Sequence, residues 1–135
     1  MKASGPLTVP ELDMLCFYLG CHLKCKYCQN RDTWDIRSGH EVKISEMLDT
    51  ILRYQNYIQP DGGVTVSGGE PLLQADSLIA LFSELKKYNI HTAIDTSGIF
   101  KLTDTIKELI SLTDLFLLDI KHINPSKSKV LVRRF

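Results

Sequence analysis

Residues 14–30 read MLCFYLGCHLKCKYCQN: a continuous apolar run from 14 to 19, then Gly20, then three cysteines within eight residues. An apolar run of that length without alternation predicts a strand covered on both faces, and the glycine ends it. Cys21, Cys25 and Cys28 therefore stand at the carboxyl end of a first strand. The same order, apolar run and then polar cluster, recurs three times downstream. Residues 64–67 read as a short β-branched strand that delivers Gly68, Gly69, Glu70 and Pro71. Residues 90–94 open onto Asp95, Thr96, Ser97 and Gly98, and residues 115–118 end in Asp119, Ile120 and Lys121.

Between these strands the period changes to that of helices. From Ser45, placed to cap the start, Met47, Leu48, Ile51, Leu52 and Ile58 fall on or near one side. Pro60, Asp61, Gly62 and Gly63 close that helix as a turn. Residues 75–88 carry Leu78, Leu81, Phe82 and Leu85 at core spacing. Residues 103–112 form a third helix, with Thr103 as cap and Ile106, Leu109 and Ile110 turned inward. Residues 29–44 are polar, with weak periodicity, and hold the only tryptophan, Trp34. Residues 1–12, with Pro6 and Pro10, predict a poorly ordered, extended lead.

Strands and helices in strict alternation predict an α/β fold with a parallel sheet and helices outside it. Right-handed crossovers would curl such a sheet into part of a barrel. Active sites of parallel α/β folds lie at the carboxyl rim of the strands, and all four polar clusters fall on that rim. They predict one site.

Composition narrows the function classes. A chain of 135 residues suits a single domain that buries roughly two thirds of its unfolded surface. Sixteen basic residues balance sixteen acidic ones, so no global field draws it to nucleic acid or to an anionic membrane. The first residues lack an apolar segment of signal-peptide length, and no apolar run is long enough to cross a bilayer. A cytoplasmic protein with reduced thiols is the expectation.

Thiolates bind iron–sulfur clusters, and the C-x3-C-x2-C spacing lets three of them turn inward on one loop. A fourth local ligand is missing, which would leave one iron open to an external molecule. Zinc is an alternative, but it favours four closed ligands and would have to recruit Cys16 or His22. A disulfide framework fits small secreted chains, and structural thiols are the remaining reading. Cys16, inside the strand, reads as a small buried hydrophobe.

The triplet with Tyr27 just before its last cysteine resembles the signature of radical S-adenosylmethionine enzymes. The run CKYCQNRDTWD, then Gly39, Glu41 and Val42 as GxEV, then GGVTVSGGEPLLQ over residues 62–74, then DTSG and LLDIK, is similar to the pyruvate formate-lyase activating enzyme family. The resemblance covers residues 17–124. It implies a radical S-adenosylmethionine partial (β/α) barrel, with about four strand-and-helix units of an expected six. By that resemblance Cys21, Cys25 and Cys28 hold three irons of a [4Fe-4S] cluster, and S-adenosylmethionine chelates the fourth through its amino and carboxylate groups. Gly68, Gly69 and Glu70 receive the methionine amino group. Asp95, Thr96 and Asp119 bind a monovalent cation, Na+ or K+, beside the cofactor carboxylate, with the Leu117 carbonyl as a further donor. Lys121 faces that carboxylate or the ribose, and Tyr27 belongs to the same cofactor site.

The implied activity is reductive cleavage of S-adenosylmethionine to a 5′-deoxyadenosyl radical, which takes a hydrogen from a glycine of a partner glycyl radical enzyme such as pyruvate formate-lyase. A flavodoxin or ferredoxin would donate the electron, in anaerobic metabolism. Two other functions stay open: a radical S-adenosylmethionine enzyme acting on a small molecule, and an inactive metal-binding remnant. Relatives carry a DGPGIR-type segment where this chain has VPELDML, and they continue past residue 135, so the chain reads as truncated.

Overall fold

The computed structural model describes residues 13–58 and 62–124. The expected lead over residues 1–12, Pro60 and Asp61 of the expected turn, and the basic C-terminal residues lie outside them. Four strands, β1 (Met14–Tyr18), β2 (Gly63–Gly68), β3 (His91–Thr96) and β4 (Leu115–Leu118), pair in that order, every pair parallel. The helices are α1 (Ile44–Arg53), the one-turn α2 (Gln55–Ile58), α3 (Ala75–Lys87) and α4 (Asp104–Leu112). This is the expected α/β arrangement, consistent with part of a radical S-adenosylmethionine barrel.

Strand alternation sorts the two faces of the sheet. In β2, Val64 and Val66 join Cys16, Tyr18 and Ile94 in the apolar core, together with Leu78, Leu81, Phe82 and Leu85 of α3 and Ile106 and Leu109 of α4. Each fully buried Leu, Ile or Phe there contributes roughly 1.5–3 kcal/mol of transfer free energy. The intervening residues Thr65 and Ser67 face the other way and are paired. Thr65 donates its hydroxyl to Asp13 Oδ2 at 2.8 Å, and Ser67 donates to Asp95 Oδ2 at 2.7 Å. One face of the sheet is thus hydrocarbon and the other carries a polar row leading to the rim.

Some boundaries differ from the sequence reading. The helix expected from Ser45 to Ile58 starts at Ile44 with Lys43 as its N-cap, no side chain caps it, and Ser45 sits within the first turn. It breaks at Tyr54, whose N–H reaches back to the Ile51 carbonyl, and Ile58 is buried from the separate α2. Gly63 belongs to β2, donating its N–H to Asp13 Oδ1 at 2.7 Å. Thr103 does cap α4, accepting from the Ile106 N–H. Ile110, expected inward, is exposed, because it lies one position round from the Ile106–Leu109 stripe that meets the core. Trp34 lies in a segment with two short 3-10 turns, Arg31–Thr33 and Ile36–Ser38.

Strand β4 differs in kind. Its four side chains, Leu115, Phe116, Leu117 and Leu118, are all exposed at the edge of the sheet although every one is apolar. Among the described residues no helix is long and apolar enough to cross a membrane.

Candidate functional site

The rim expected from the sequence is one cavity of about 280 Å³. Cys21, Cys25 and Cys28 line it from the β1 loop, with Tyr27 between the last two. Gly68, Gly69 and Glu70 line it from β2, Asp95 and Thr96 from β3, and Asp119 and Lys121 from the end of β4. The site residues read from the sequence therefore line this cavity, except Leu117, whose carbonyl is expected as a further cation donor and which is not among the lining residues. Ser67, Ser97 and Trp34 also line it and were not singled out as site residues.

The cysteine loop is held by backbone. Gly20 N–H donates to the Thr33 carbonyl at 2.8 Å, and Cys21 N–H donates to the Trp34 carbonyl at 3.2 Å. From the other side, Gly69 N–H donates to the Tyr18 carbonyl at 2.9 Å and Glu70 N–H to the Gly20 carbonyl at 2.7 Å. The glycine pair permits that approach: Gly68 has φ +117, and a Cβ on Gly69 would sit 2.2 Å from the Gly20 oxygen. The tight turn and the close approach are here the same feature.

Glu70 is a buried carboxylate, 2% exposed, with both oxygens engaged. Oε1 accepts from the Thr96 hydroxyl at 2.7 Å and the Leu72 N–H at 3.3 Å. Oε2 accepts from the Ser97 N–H at 3.1 Å and the Ser97 hydroxyl at 2.5 Å. The side chain thereby joins the end of β2 to the end of β3. Gln74 adds a third tie, donating to the Leu19 carbonyl at 2.7 Å.

Across the cavity Lys121 Nζ pairs with Asp119 Oδ2, and the Lys121 carbonyl accepts from the Tyr27 hydroxyl at 3.1 Å. Burial alone would lower the Lys121 ammonium, but the Asp119 hydrogen bond and charge hold it above its ordinary value. Burial pushes the Cys25 thiol up, and the Lys121 charge opposes this. Thr96 has its hydroxyl on Glu70, and its carbonyl accepts from the Asp119 N–H at 2.9 Å.

All four thiols are free. Among the described residues no three His, Cys, Asp or Glu side chains close on a single metal ion. A tetrahedral zinc needs its sulfurs about 3.8 Å apart, twice a 2.3 Å bond opened to the tetrahedral angle. Three thiols on one cavity wall are the kind of donor set that a multi-iron group takes. Cys16 is remote from this wall, packed in the core, and burial pushes its thiol up to about 11 from 9.0.

A testable consequence follows from that burial. At pH 8 in the native apoprotein, iodoacetamide should label Cys21 and Cys28 within minutes and leave Cys16 unlabelled until the chain is unfolded, as read by peptide mass spectrometry. The folded state holds the Cys16 proton more tightly than the unfolded one, so stability present at pH 8 should fall as the pH rises from about 9 towards 11.

Residues 11–134 match the model of the 4Fe-4S single cluster domain. The chain belongs to that family. Its relatives carry the likeness read from the motifs. It is 38% identical over 133 residues to the pyruvate formate-lyase 1-activating enzyme of Escherichia coli (strain K12), covering 97% of this chain and 54% of the relative. It is 47% identical over 134 residues to the pyruvate formate-lyase-activating enzyme of Staphylococcus epidermidis, covering 94% of this chain and 53% of the relative. With the corresponding enzyme of Listeria monocytogenes serovar 1/2a the figure is 41% over 133 residues, 94% and 54%. The chain spans about half the length of the curated relatives it matches.

Proposed function

We propose that this chain carries the iron–sulfur and cofactor-binding part of an activating enzyme for a glycyl radical protein of the pyruvate formate-lyase kind. The observation that carries this is the meeting of three thiols, a strand-end glycine pair and the Asp95, Asp119 and Lys121 charges around one cavity. Cys21, Cys25 and Cys28 would hold three irons of a [4Fe-4S] cluster. With S-adenosylmethionine bound, that cluster supplies one-electron reductive cleavage of the cofactor and hence hydrogen abstraction from a glycine.

The chain's own residues supply placement. Because both Glu70 oxygens are already hydrogen-bonded, the methionine ammonium would be received by strand-end backbone at Gly68 and Gly69, with Glu70 fixing the walls. A Na+ or K+ ion between Asp95 and Asp119, with Thr96 and the Leu117 carbonyl, would sit against the cofactor carboxylate. Lys121, now on Asp119, would share that carboxylate or reach the ribose. The cavity, about 280 Å³, is at the small end for ligand pockets. A flavodoxin or ferredoxin would deliver the electron, in the cytoplasm of an anaerobically growing cell.

The test is anaerobic reconstitution with iron and sulfide, then electron paramagnetic resonance of the dithionite-reduced protein with and without S-adenosylmethionine. A [4Fe-4S]⁺ signal that changes on adding the cofactor is the expected result. A protein that holds no cluster, or a cluster blind to the cofactor, would sink the proposal.

A further inference from the structure

Trp34 Nε1–H points at Cys28 Sγ, 3.3 Å away, from a ring that is only partly exposed. The Arg31 guanidinium lies over the face of the ring, its carbon 5.7 Å from the ring centroid. Arg31 also donates to the Lys26 carbonyl at 2.8 Å, inside the segment between Cys25 and Cys28. The Trp34 carbonyl accepts from the Cys21 N–H. One short segment therefore touches the cysteine loop at the backbone of Cys21, at its middle and at its last sulfur.

An indole N–H has no acceptor capacity, so this contact can only be donation to sulfur. A donor aimed at a ligand sulfur withdraws electron density and stabilises the more negative, reduced form of the group that the sulfur holds. We propose that Trp34 is a positioning residue for Cys28, which orients that thiolate and raises the reduction potential of the cluster bound there. This rests on the cluster assignment above. The couple is one electron in from an external donor, with no bond made or broken at Trp34.

Trp34→Phe keeps an aromatic ring for Arg31 and removes the N–H together with the second ring of the indole. With iron and sulfide content equal to wild type, the midpoint potential read by a redox titration followed by electron paramagnetic resonance should fall. We expect reduction about tenfold weaker at fixed potential, which is about 59 mV for one electron. An unchanged or raised midpoint overturns the role of Trp34 and leaves the cluster assignment standing. A wild-type protein that takes up no cluster fails the assignment itself. Should Trp34→Phe not fold, wild-type protein labelled with 15N-tryptophan decides the matter. The chain has one tryptophan, so a 15N hyperfine coupling on the reduced cluster can come only from Trp34. Its absence overturns the proposal.

Discussion

Glu70→Ala is expected to lose about 3–6 kcal/mol of folding stability, read from the midpoint of a urea titration at constant slope. The alanine strands the Thr96 hydroxyl, the Ser97 N–H, the Ser97 hydroxyl and the Leu72 N–H, all of which now donate to the carboxylate. A buried donor left without an acceptor, as at Thr96 and Leu72, costs roughly 1–3 kcal/mol, the partly buried Ser97 donors cost less, and the loss of side-chain volume at a site 2% exposed adds a cavity. Water entering that cavity would recover part of the sum, which is why the expected loss lies below the simple total. Against a whole stability of about 5–15 kcal/mol this is a large fraction. Glu70→Gln keeps one carbonyl oxygen for Thr96 but turns an NH2 towards the Ser97 donors, so about half the loss is expected. A Glu70→Ala protein within about 1 kcal/mol of wild type would show that the rim does not depend on this carboxylate.

How far the sequence reveals this site depends on the range of the interaction. The strand-then-cluster order was legible because it is local: an apolar run of strand length, then Gly20 or Gly68, places the next residues on the rim whatever the rest of the chain does. The partners of Glu70 were not legible, because Thr96 and Ser97 lie 26 and 27 residues away and only folding brings them to it. For the same reason the glutamate read as a ligand acceptor, while the structure has it tying two strand ends together. The Trp34 contact spans only six residues, yet polar residues without periodicity give no sign of where an indole points. The break at Tyr54 was missed because neither glycine nor proline marks it. Strand β4 is legible as a strand from its four apolar residues and is an exposed edge among the described residues, since composition records what a surface needs rather than what covers it.

Gly69→Ala is expected to cost the protein its cluster along with much of its stability. The added Cβ would lie 2.2 Å from the Gly20 oxygen and 2.7 Å from the Gly20 carbonyl carbon, with the Thr33 oxygen at 3.0 Å. All three are backbone, so no side-chain rotation relieves the contact. The strand end or the residue immediately before Cys21 must move by an ångström or more, and two hydrogen bonds lie on that path: Gly69 N–H to Tyr18 and Glu70 N–H to Gly20. Overpacking of this kind costs about 1–3 kcal/mol, and the two strained hydrogen bonds add about 1 kcal/mol each. Because Gly20 and Cys21 are also held by Thr33 and Trp34, the displacement passes directly to the first thiol. Iron bound per chain after reconstitution should fall at least tenfold, while circular dichroism at low temperature keeps its α/β signature. Ala75→Gly, in the first turn of α3 and away from the glycine pair, is the matched control for backbone change: it should cost about 1 kcal/mol and leave iron uptake as it was. If Gly69→Ala took up iron like the control, the glycine pair would be a turn and nothing more.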